Sequence, residues 1–435
     1  MVIASIDIQG GRVVQLKQGS ELILQRDNPV ELAEEFDRYG EVAVIDLDAA
    51  MGKGSNTGIL RSLLRKARCR VGGGIRSPEQ ARELISLGAE KIIVGSRAFR
   101  KAGTFAVDGE FLAEMARAVG RERLIIAVDA RIAVDARGGE DSGAYEIVVD
   151  GWKTPTGLDL TGAAKEAQDF CGEFLFTCVD REGTMGGIDL RPVRALRQAV
   201  SCGLTVAGGV ASLEEIEAAA ALGCDVQLGM ALYTGKIGLA DAFVCSLNWK
   251  KAADSGALLP LIAQNRDGQI LMTGFADREA VAESFKRGNL CFHSRTRDSL
   301  WMKGEHSGNI LRLLRMRADC DRDAILATVE SAGPVCHTGA FSCFETGRRY
   351  SLEFLQALIA DRFRSPKPGS YTATLDDELV REKVMEEAEE LCGAAGRDEI
   401  VWEAADLLYF TMVLVTRAGI SVEEIFNELD RRHKK

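Results

Sequence analysis

A long internal repeat constrains the fold of this chain more than any other feature. The segment VGGGIRSPEQARELISLG begins at Val71, and a related segment, VAGGVASLEEIEAAAALG, begins at Val206. An acidic stretch precedes each copy: IDLDAAMG ends at Gly52, and VDREGTMG ends at Gly186. A repeat of this length indicates two homologous halves, each built from several secondary-structure elements.

Short apolar stretches alternate with amphipathic ones from residue 1 to about residue 247. The pattern predicts strands at 42–47, 92–94, 124–128, 174–179 and 205–207, with helices such as 77–87 and 213–222 between them. Two homologous halves of this kind predict a closed (β/α)8 TIM barrel. In such a barrel the active residues lie at the carboxyl ends of the strands.

The alternation stops at LNWKKAADSGA (residues 247–257), which is typical of a linker. Short predicted strands with clustered Cys, Asp and Gly follow, and the remainder is rich in Glu, Leu and Ala. The sequence therefore predicts a multidomain protein. We expect the barrel at 1–247, a small β-rich α+β domain at 258–345 and an all-α helical domain at 351–435.

Charge and hydropathy exclude several classes of partner. The net charge is −11, whereas a nucleic-acid binder needs a basic face. The sequence has no run of 18 apolar residues, so we expect no membrane span. The start MVIASIDIQGG lacks the pattern of a signal peptide, and we expect a cytoplasmic protein.

The four histidines are all beyond residue 290, so carboxylates must transfer protons in the first segment. Acids lie near the ends of predicted strands, at Asp7, Asp46, Asp48, Asp129 and Asp180. One such acid is often only a helix cap, but five of them favour a site. Two facing carboxylates can act as general acid and general base when their pKa values differ.

Glycine-rich turns follow strands in both halves. Their backbone N–H groups and the helix starts after them favour phosphate. The candidate phosphate residues are Gly73 and Gly74 in one half, Gly208 and Gly209 in the other, and Ser96 and Gly229 in two later turns. Matching turns in the two halves predict a ligand with phosphates at both ends.

These motifs, together with DIQGGRVVQL, AVDA, GWKT and GMALY, resemble the ProFAR isomerase family of histidine biosynthesis. The resemblance implies an Amadori rearrangement of an aminoaldose to an aminoketose on a bis-phosphorylated substrate. It implies Asp7 as base and Asp129 as acid, and Trp152 and Thr177 as further substrate contacts.

The stretch IAVDAR at residues 126–131 is repeated at once at 132–137, so either Asp129 or Asp135 could be the acid. We favour Asp129, because the apolar strand LIIAV leads into it and a buried strand should not contain Arg131. The sequence also departs from the family pattern, with Glu182 where the family has the Asp of DGT. An alternative is therefore that the barrel is a catalytically silent scaffold or ligand-binding module.

The second segment carries two sets of candidate metal ligands. Asp319, Asp321 and Asp323 alternate along an extended segment, which suits a hard cation such as Mg²⁺. The thiols of Cys320, Cys336 and Cys343 suit Zn²⁺ with one open position. The alternative is that the three cysteines are core residues.

With SRTR at 294–297 and LWMKGE at 300–305, this segment resembles phosphoribosyl-AMP cyclohydrolase. The resemblance implies hydrolytic opening of the adenine ring, with His337 moving a proton. Phosphate and substrate contacts are implied for Arg295, Arg297, Trp301 and Lys303. It further implies a homodimer whose site takes ligands from both chains.

In the third segment, Glu387 and Glu390 are three residues apart, as are Glu403 and Asp406. On two packed helices these pairs would bring four carboxylates together, a natural Mg²⁺ site. The alternative is a solvated acidic face. With Lys383 and AADLLY at 404–409, the segment resembles phosphoribosyl-ATP pyrophosphohydrolase, which implies pyrophosphate release and phosphate contacts from Lys367, Arg381 and Lys383. The alternative function for this segment is that of a general nucleotide pyrophosphatase that cleans the nucleotide pool.

The three resemblances correspond to consecutive steps of one pathway in reverse chain order. The sequence therefore predicts a multifunctional histidine-biosynthesis enzyme that acts on small phosphoribosyl nucleotides and uses Zn²⁺ and Mg²⁺.

Overall fold

The computed structural model describes residues 1–133, 144–252, 256–344, 347–366 and 369–433. Asp135 and Lys367, named above, lie outside these residues. The chain forms two compact units, one of Met1–Ala263 with Thr273–Gly333 and one of Gln264–Met272 with Pro334–His433.

A closed barrel of eight parallel strands forms most of the first unit, as the sequence predicts. The strands pair in chain order, and the eighth returns to the first, with Val2 opposite Val226. The barrel strands are Val2–Gln9, Val42–Asp46, Cys69–Gly72, Lys91–Val94, Leu124–Ile132, Glu173–Cys178, Gly203–Ala207 and Asp225–Leu228.

Helices cover the outside of the barrel, and short antiparallel strands extend its loops. The helices are Pro29–Phe36, Leu47–Ala50, Thr57–Leu63, Pro78–Leu87, Gly109–Val119, Leu160–Ala167, Leu190–Ala199, Leu213–Ala221, Met230–Tyr233 and Leu239–Ser246. The added strands are Arg12–Lys17, Glu21–Arg26, Phe99–Ala102, Thr104–Val107, Tyr145–Val149 and Thr154–Asp159.

The fifth strand differs from the prediction. It runs over Leu124–Ile132 and includes Arg131, which we expected to fall in a loop. Beyond the barrel rim this strand pairs with the antiparallel strand Tyr145–Val149, with Glu146 opposite Arg131. Because this part lies outside the barrel interior, a half-buried arginine is tolerated in it.

Alternating side chains of the strands fill two layers. One set packs under the helices in a large apolar core, and the other set points into the barrel, where Ile93, Ile125, Leu175 and Ala207 form a small cluster. Near the amino-terminal ends of the strands, Arg70 is buried among acids. It pairs with Glu41 and with Glu173, whose Oε1 lies 2.5 Å from Nη1.

A four-stranded sheet follows the barrel, in the order Ile270–Ala276, Leu259–Gln264, Ile325–Ser331 and Leu311–Ala318. The hairpin of Cys291–Ser294 and Ser299–Met302 and the helix Arg278–Arg287 lie between its strands in sequence. Phe285 of that helix packs against Tyr39 and Phe243 of the barrel, with ring centroids 4.6 and 5.4 Å apart.

The carboxyl-terminal part is helical, as predicted. Its helices are Leu352–Arg364, Tyr371–Thr374, Asp377–Gly393, Arg397–Arg417 and Val422–His433. Leu355, Ile359, Val380 and Val413 form the centre of their core. No helix in the described parts of the chain is both long and apolar enough to span a bilayer.

Candidate active sites

A cavity of about 670 Å³ opens at the carboxyl ends of the barrel strands. The residues that line it include Asp7, Asp129, Trp152, Thr177 and Glu182, and both pairs of glycine-rich turns. The predicted barrel residues therefore converge on one site, at the end of the barrel where such enzymes place their chemistry.

Asp7 lies near the end of the first strand, where it accepts a hydrogen bond of 3.0 Å from the Ser5 hydroxyl. Burial raises the pKa of Asp7 to about 6, although the bond from Ser5 opposes the shift. A carboxylate with this pKa is ionised at neutral pH and basic enough to accept a proton efficiently.

Asp129 lies on the fifth strand, opposite Thr177 of the sixth. The Trp152 indole N–H donates to Asp129 Oδ2 at 2.9 Å, and Thr177 also donates to this carboxylate. Burial raises the pKa of Asp129 in spite of both bonds. Trp152 and Thr177, which we predicted to be substrate contacts, thus also fix the orientation of the candidate acid.

From the sequence, Glu182 is only a departure from the family pattern. The structure places it in the same cavity, and its pKa is raised to about 7 by burial first and then by the charges of Asp7 and Asp129. The internal repeat could have identified Glu182 as a candidate site residue, because Glu182 corresponds to Asp48 in the first half.

The other acids near strand ends hold loops. Asp46 caps the helix Leu47–Ala50 and accepts a hydrogen bond of 2.7 Å from the Asn56 backbone N–H. Asp48 accepts from the backbone N–H of Gly10 at 2.7 Å, and Asp180 accepts from that of Ile132 at 2.9 Å. These contacts give three of the five acids a structural role, so a catalytic role is not needed to account for them.

Matching glycine turns border the cavity on two sides. Gly73 and Gly208 have φ angles of +99° and +92°. A Cβ at these positions would lie 2.2 Å from the carbonyl oxygen of Asp46 and 2.8 Å from that of Cys178. Only glycine fits at these two positions, because the backbone of each turn packs directly against the preceding loop. Gly74, Gly209, Gly229 and Ser96 line the same cavity.

Three carboxylates of the second segment converge in the turn after the strand Leu311–Ala318. Oxygen atoms of Asp319, Asp321 and Asp323 lie within 4.8 Å of one another. Asp319 Oδ1 accepts from the backbone N–H groups of Asp323 and Ala324 at 2.9 and 3.1 Å. Lys251 forms ion pairs with Asp321 and Asp323, so its ammonium group already balances part of this charge.

The candidate thiols occupy two places. Cys320 is exposed in the turn just described, within the first unit. In the second unit, Cys336 accepts a hydrogen bond of 3.1 Å from the Thr338 hydroxyl and interacts with Cys343. The Thr338 bond is the largest cause of a lowered pKa of Cys336. The exposed His337 places Nδ1 3.8 Å from the Cys336 sulfur.

The candidate phosphate ligands of this segment lie around the hairpin of Cys291–Ser294. Arg295 stacks over the ring of Phe275 at 3.9 Å and lines a second cavity of about 620 Å³. Arg297 lies 6.0 Å from the ring centroid of Trp301. Lys303 is half-buried at the end of the hairpin. Ser294 pairs with Ser299 and Cys291 with Met302, so the two arginines lie at the turn of the hairpin and Lys303 lies at its open end.

The helical segment gathers carboxylates from two helices. Oxygen atoms of Glu387, Glu403 and Asp406 lie within 4.8 Å of one another, and Glu387 is only 7% exposed. The pKa values of Glu387 and Glu403 are raised, by burial first and then by neighbouring acids that include Glu390. Glu390 itself is exposed and lies outside this converging trio.

The chemistry of this donor set fits a hard divalent cation. Lys383 Nζ lies 2.6 Å from Glu386 and 3.9 Å from Glu387, so one ammonium group faces several acids. Crowded carboxylates with too little positive charge are stabilised by Mg²⁺, which prefers oxygen ligands.

The barrel and its paired acids define an acid–base enzyme that acts on a phosphorylated ligand, joined to two candidate metal-dependent segments. Models of three families match the chain: Histidine biosynthesis protein at residues 1–238, Phosphoribosyl-AMP cyclohydrolase at 272–345 and Phosphoribosyl-ATP pyrophosphohydrolase at 352–433. The chain belongs to the histidine biosynthesis protein family.

Curated relatives carry the name Histidine biosynthesis bifunctional protein HisIE. The one from Vibrio vulnificus strain YJ016 is 38% identical over 200 residues, which cover 43% of this chain and 93% of the relative. The one from Pyrococcus furiosus is 39% identical over 203 residues, covering 43% of this chain and 96% of the relative. The predicted multifunctional histidine-biosynthesis enzyme is confirmed by these matches.

Proposed function

We propose that the chain catalyses three consecutive steps. The helical segment hydrolyses phosphoribosyl-ATP to phosphoribosyl-AMP and pyrophosphate, the middle segment opens the adenine ring to give ProFAR, and the barrel isomerises ProFAR. We assign these steps to domains 351–435, 258–345 and 1–247. The observation that carries the isomerase step is the cavity in which three carboxylates with raised pKa values lie between two matching glycine turns.

In the barrel, an acid opens the sugar ring and a base moves a proton to complete the rearrangement. Asp7 is the proposed base and Asp129 the proposed acid, held by Trp152 and Thr177. Glu182 is a second proton donor, because its pKa near 7 leaves it partly protonated at neutral pH. The turns at Gly73–Gly74 and Gly208–Gly209, with Ser96 and Gly229, bind the two phosphates.

In the middle segment, Cys320, Cys336 and Cys343 would hold Zn²⁺, and Asp319, Asp321 and Asp323 would hold Mg²⁺. Bound zinc supplies a water of lowered pKa. His337 moves a proton, while Arg295, Arg297 and Lys303 bind phosphate and Trp301 contacts the substrate. We further propose a homodimer through this segment, with ligands drawn from both copies, as the resemblance to the cyclohydrolase family implies.

In the helical segment, Glu387, Glu390, Glu403 and Asp406 would hold Mg²⁺. The bound ion neutralises phosphate charge and positions the attacking water. Lys383 and Arg381 contact the phosphates. We further propose that the enzyme works in the cytoplasm on small phosphoribosyl nucleotides.

The test is the end product formed from phosphoribosyl-ATP by the purified full chain with Mg²⁺ and Zn²⁺. We expect the isomerised aminoketose, and Asp7→Asn should stop the same reaction at ProFAR. If the unaltered chain also stops at ProFAR, the barrel is a silent scaffold and the isomerase proposal is lost. Ordinary deoxynucleoside triphosphates serve as a control, and comparable turnover of them would favour a general nucleotide pyrophosphatase.

A further inference from the structure

We propose that the barrel acts as a positioning platform for the cyclohydrolase, through an ion pair between Arg322 and Asp225. Arg322 belongs to the metal turn, residues 319–324, which carries Cys320 and the three clustered aspartates. Asp225 begins the eighth barrel strand. This inference rests on the proposed role of Cys320 in binding metal.

The Arg322 side chain is well buried, with 12% exposed, and within the part of the chain that the structure describes its guanidinium donates to barrel residues. Its Nη2 donates to Asp225 Oδ1 at 2.8 Å and to the Cys224 carbonyl at 3.0 Å. Its Nη1 lies 3.5 Å from the Ala220 carbonyl. A guanidinium that donates to several acceptors is fixed in its orientation as well as in its distance from them.

The backbone of the metal turn is also held from the barrel side. Arg322 has a φ of +64°, an uncommon angle for a residue with a side chain. Its carbonyl accepts from the Asn248 backbone N–H at 2.8 Å. The Asn248 side chain donates to the Asp321 carbonyl at 3.3 Å, and Lys251 pairs with Asp321 and Asp323.

The strand that leads into the turn is docked as well. The Met316 backbone N–H donates to the Arg38 carbonyl at 3.0 Å, and Arg315 pairs with Asp37 at 3.3 Å. Cys320 and Asp321 themselves are exposed, with Asp321 paired only to Lys251 among the ion pairs of the described residues. The candidate ligands thus gain their fixed position from neighbours anchored on the barrel.

A turn held in its metal-binding conformation before the ion arrives loses less conformational freedom on binding. Without the Arg322 anchor, the metal turn would have to become ordered when the ion binds. This loss of conformational freedom would lower the affinity for the metal. Arg322 is therefore a positioning residue of the cyclohydrolase, and Asp225 is a positioning residue supplied by the barrel.

The experiment measures Co²⁺ binding to the full-length chain from the thiolate-to-cobalt charge-transfer absorption. We expect Arg322→Ala and Asp225→Asn each to weaken Co²⁺ affinity at least tenfold, and the double variant to be little worse than either single one. Arg322→Lys should recover part of the affinity. Pyrophosphate release and the isomerisation of added ProFAR should both stay within twofold of the unaltered chain, which shows that the helical segment and the barrel of each variant are folded.

Glu217→Gln is the matched control, because it removes a different ion pair between the barrel and the middle segment, that of Glu217 with Arg278 at 2.9 Å, without touching the metal turn. Its Co²⁺ affinity should be unchanged. If Cys320→Ala abolishes the absorption while Arg322→Ala and Asp225→Asn bind normally, the platform inference alone is overturned. If Cys320→Ala binds normally, the proposed zinc site is wrong and the platform role falls with it.

Discussion

Three acids share the barrel cavity, and on the proposed assignment the pKa values of Asp7 and Glu182 should set the pH range of the isomerase. Asp7, with a pKa of about 6, must be ionised to accept a proton, so kcat/KM should rise as pH passes through about 6. Glu182, with a pKa of about 7, donates only while protonated, so kcat/KM should fall above about 7. We expect a narrow bell-shaped profile for ProFAR isomerisation.

Replacing Glu182 by Gln should remove the descending limb of this profile and lower kcat/KM about 10- to 100-fold. The measurement is kcat/KM from pH 5 to 9 with ProFAR as substrate. Glu214→Gln, which alters an exposed acid on the helix Leu213–Ala221, should keep both limbs. A descending limb that persists in Glu182→Gln would assign it to another group.

The raised pKa of Glu182 also affects stability. A folded-state pKa above the unfolded value means that the contribution of Glu182 to stability is present at pH 4 and lost as pH rises through about 7. Glu182→Gln, which cannot ionise, should therefore raise the free energy of unfolding at pH 8 by about 1–2 kcal/mol, with no gain at pH 4. Denaturant unfolding at the two pH values measures this, and equal changes at both would contradict it.

Residue types and their positions predicted Asp7 and Asp129 only as two of five acids near the ends of strands, and the family resemblance singled these two out as base and acid. The hydrogen bonds from Trp152 and Thr177 to Asp129 were not predictable, because they join loops and strands distant in sequence. Glu182 was missed for a related reason. Its raised pKa arises from burial and from Asp7 and Asp129, which only the closed barrel brings near it.

At the scale of elements, two loops meet over the isomerase cavity. Gly19, between the strands Arg12–Lys17 and Glu21–Arg26, lies against Trp152, and a Cβ there would come within 2.9 Å of the indole ring. Gly19→Ala should push the indole away from Asp129 and lower isomerase kcat/KM about tenfold, since small displacements of catalytic groups are costly. Steady-state kinetics with ProFAR measures the loss.

Gly103→Ala is the control for this change. Gly103 has a similar left-handed φ of +85°, but nothing lies within 4 Å of its Cβ position. Its isomerase kinetics should match those of the unaltered chain. Equal losses in the two variants would show that backbone strain, and not the position of Trp152, limits the reaction.

The two carboxylate-bearing helices, Asp377–Gly393 and Arg397–Arg417, should be stabilised by Mg²⁺. The ion relieves repulsion among Glu387, Glu403 and Asp406, and binding only to the folded form adds about 2.7 kcal/mol at a hundredfold excess over Kd. Thermal unfolding of the full chain with and without Mg²⁺ should show this gain. Glu387→Gln should lose most of it together with pyrophosphate release, whereas Glu389→Gln, on the exposed side of the same helix, should keep both.

Periodicity predicted most of these elements because each barrel strand is apolar and each helix has one apolar face. It could not predict where the fifth strand ends. The partner that extends this strand, Tyr145–Val149, lies beyond the duplicated stretch, and pairing along a strand outweighs the preference of a single Arg131.

At the scale of the whole molecule, the three steps should be separable. Cys336→Ala should abolish thiolate metal binding and ring opening while pyrophosphate release from phosphoribosyl-ATP continues, so that phosphoribosyl-AMP accumulates. Chromatographic analysis of the products measures this. Added ProFAR should still be isomerised by this variant, which controls for folding of the barrel, and continued ring opening would contradict the zinc assignment.

The docking of the metal turn on the barrel affects how an intermediate passes from one proposed active site to the next. Asp225, Cys224, Asp37 and Arg38 border the amino-terminal ends of the barrel strands, whereas Asp7, Asp129 and Glu182 lie at the carboxyl ends. Between these two faces, Ile93, Ile125, Leu175 and Ala207 pack together inside the barrel. We therefore expect ProFAR to be released into solvent before it is isomerised, so that a separate enzyme present in excess would intercept it.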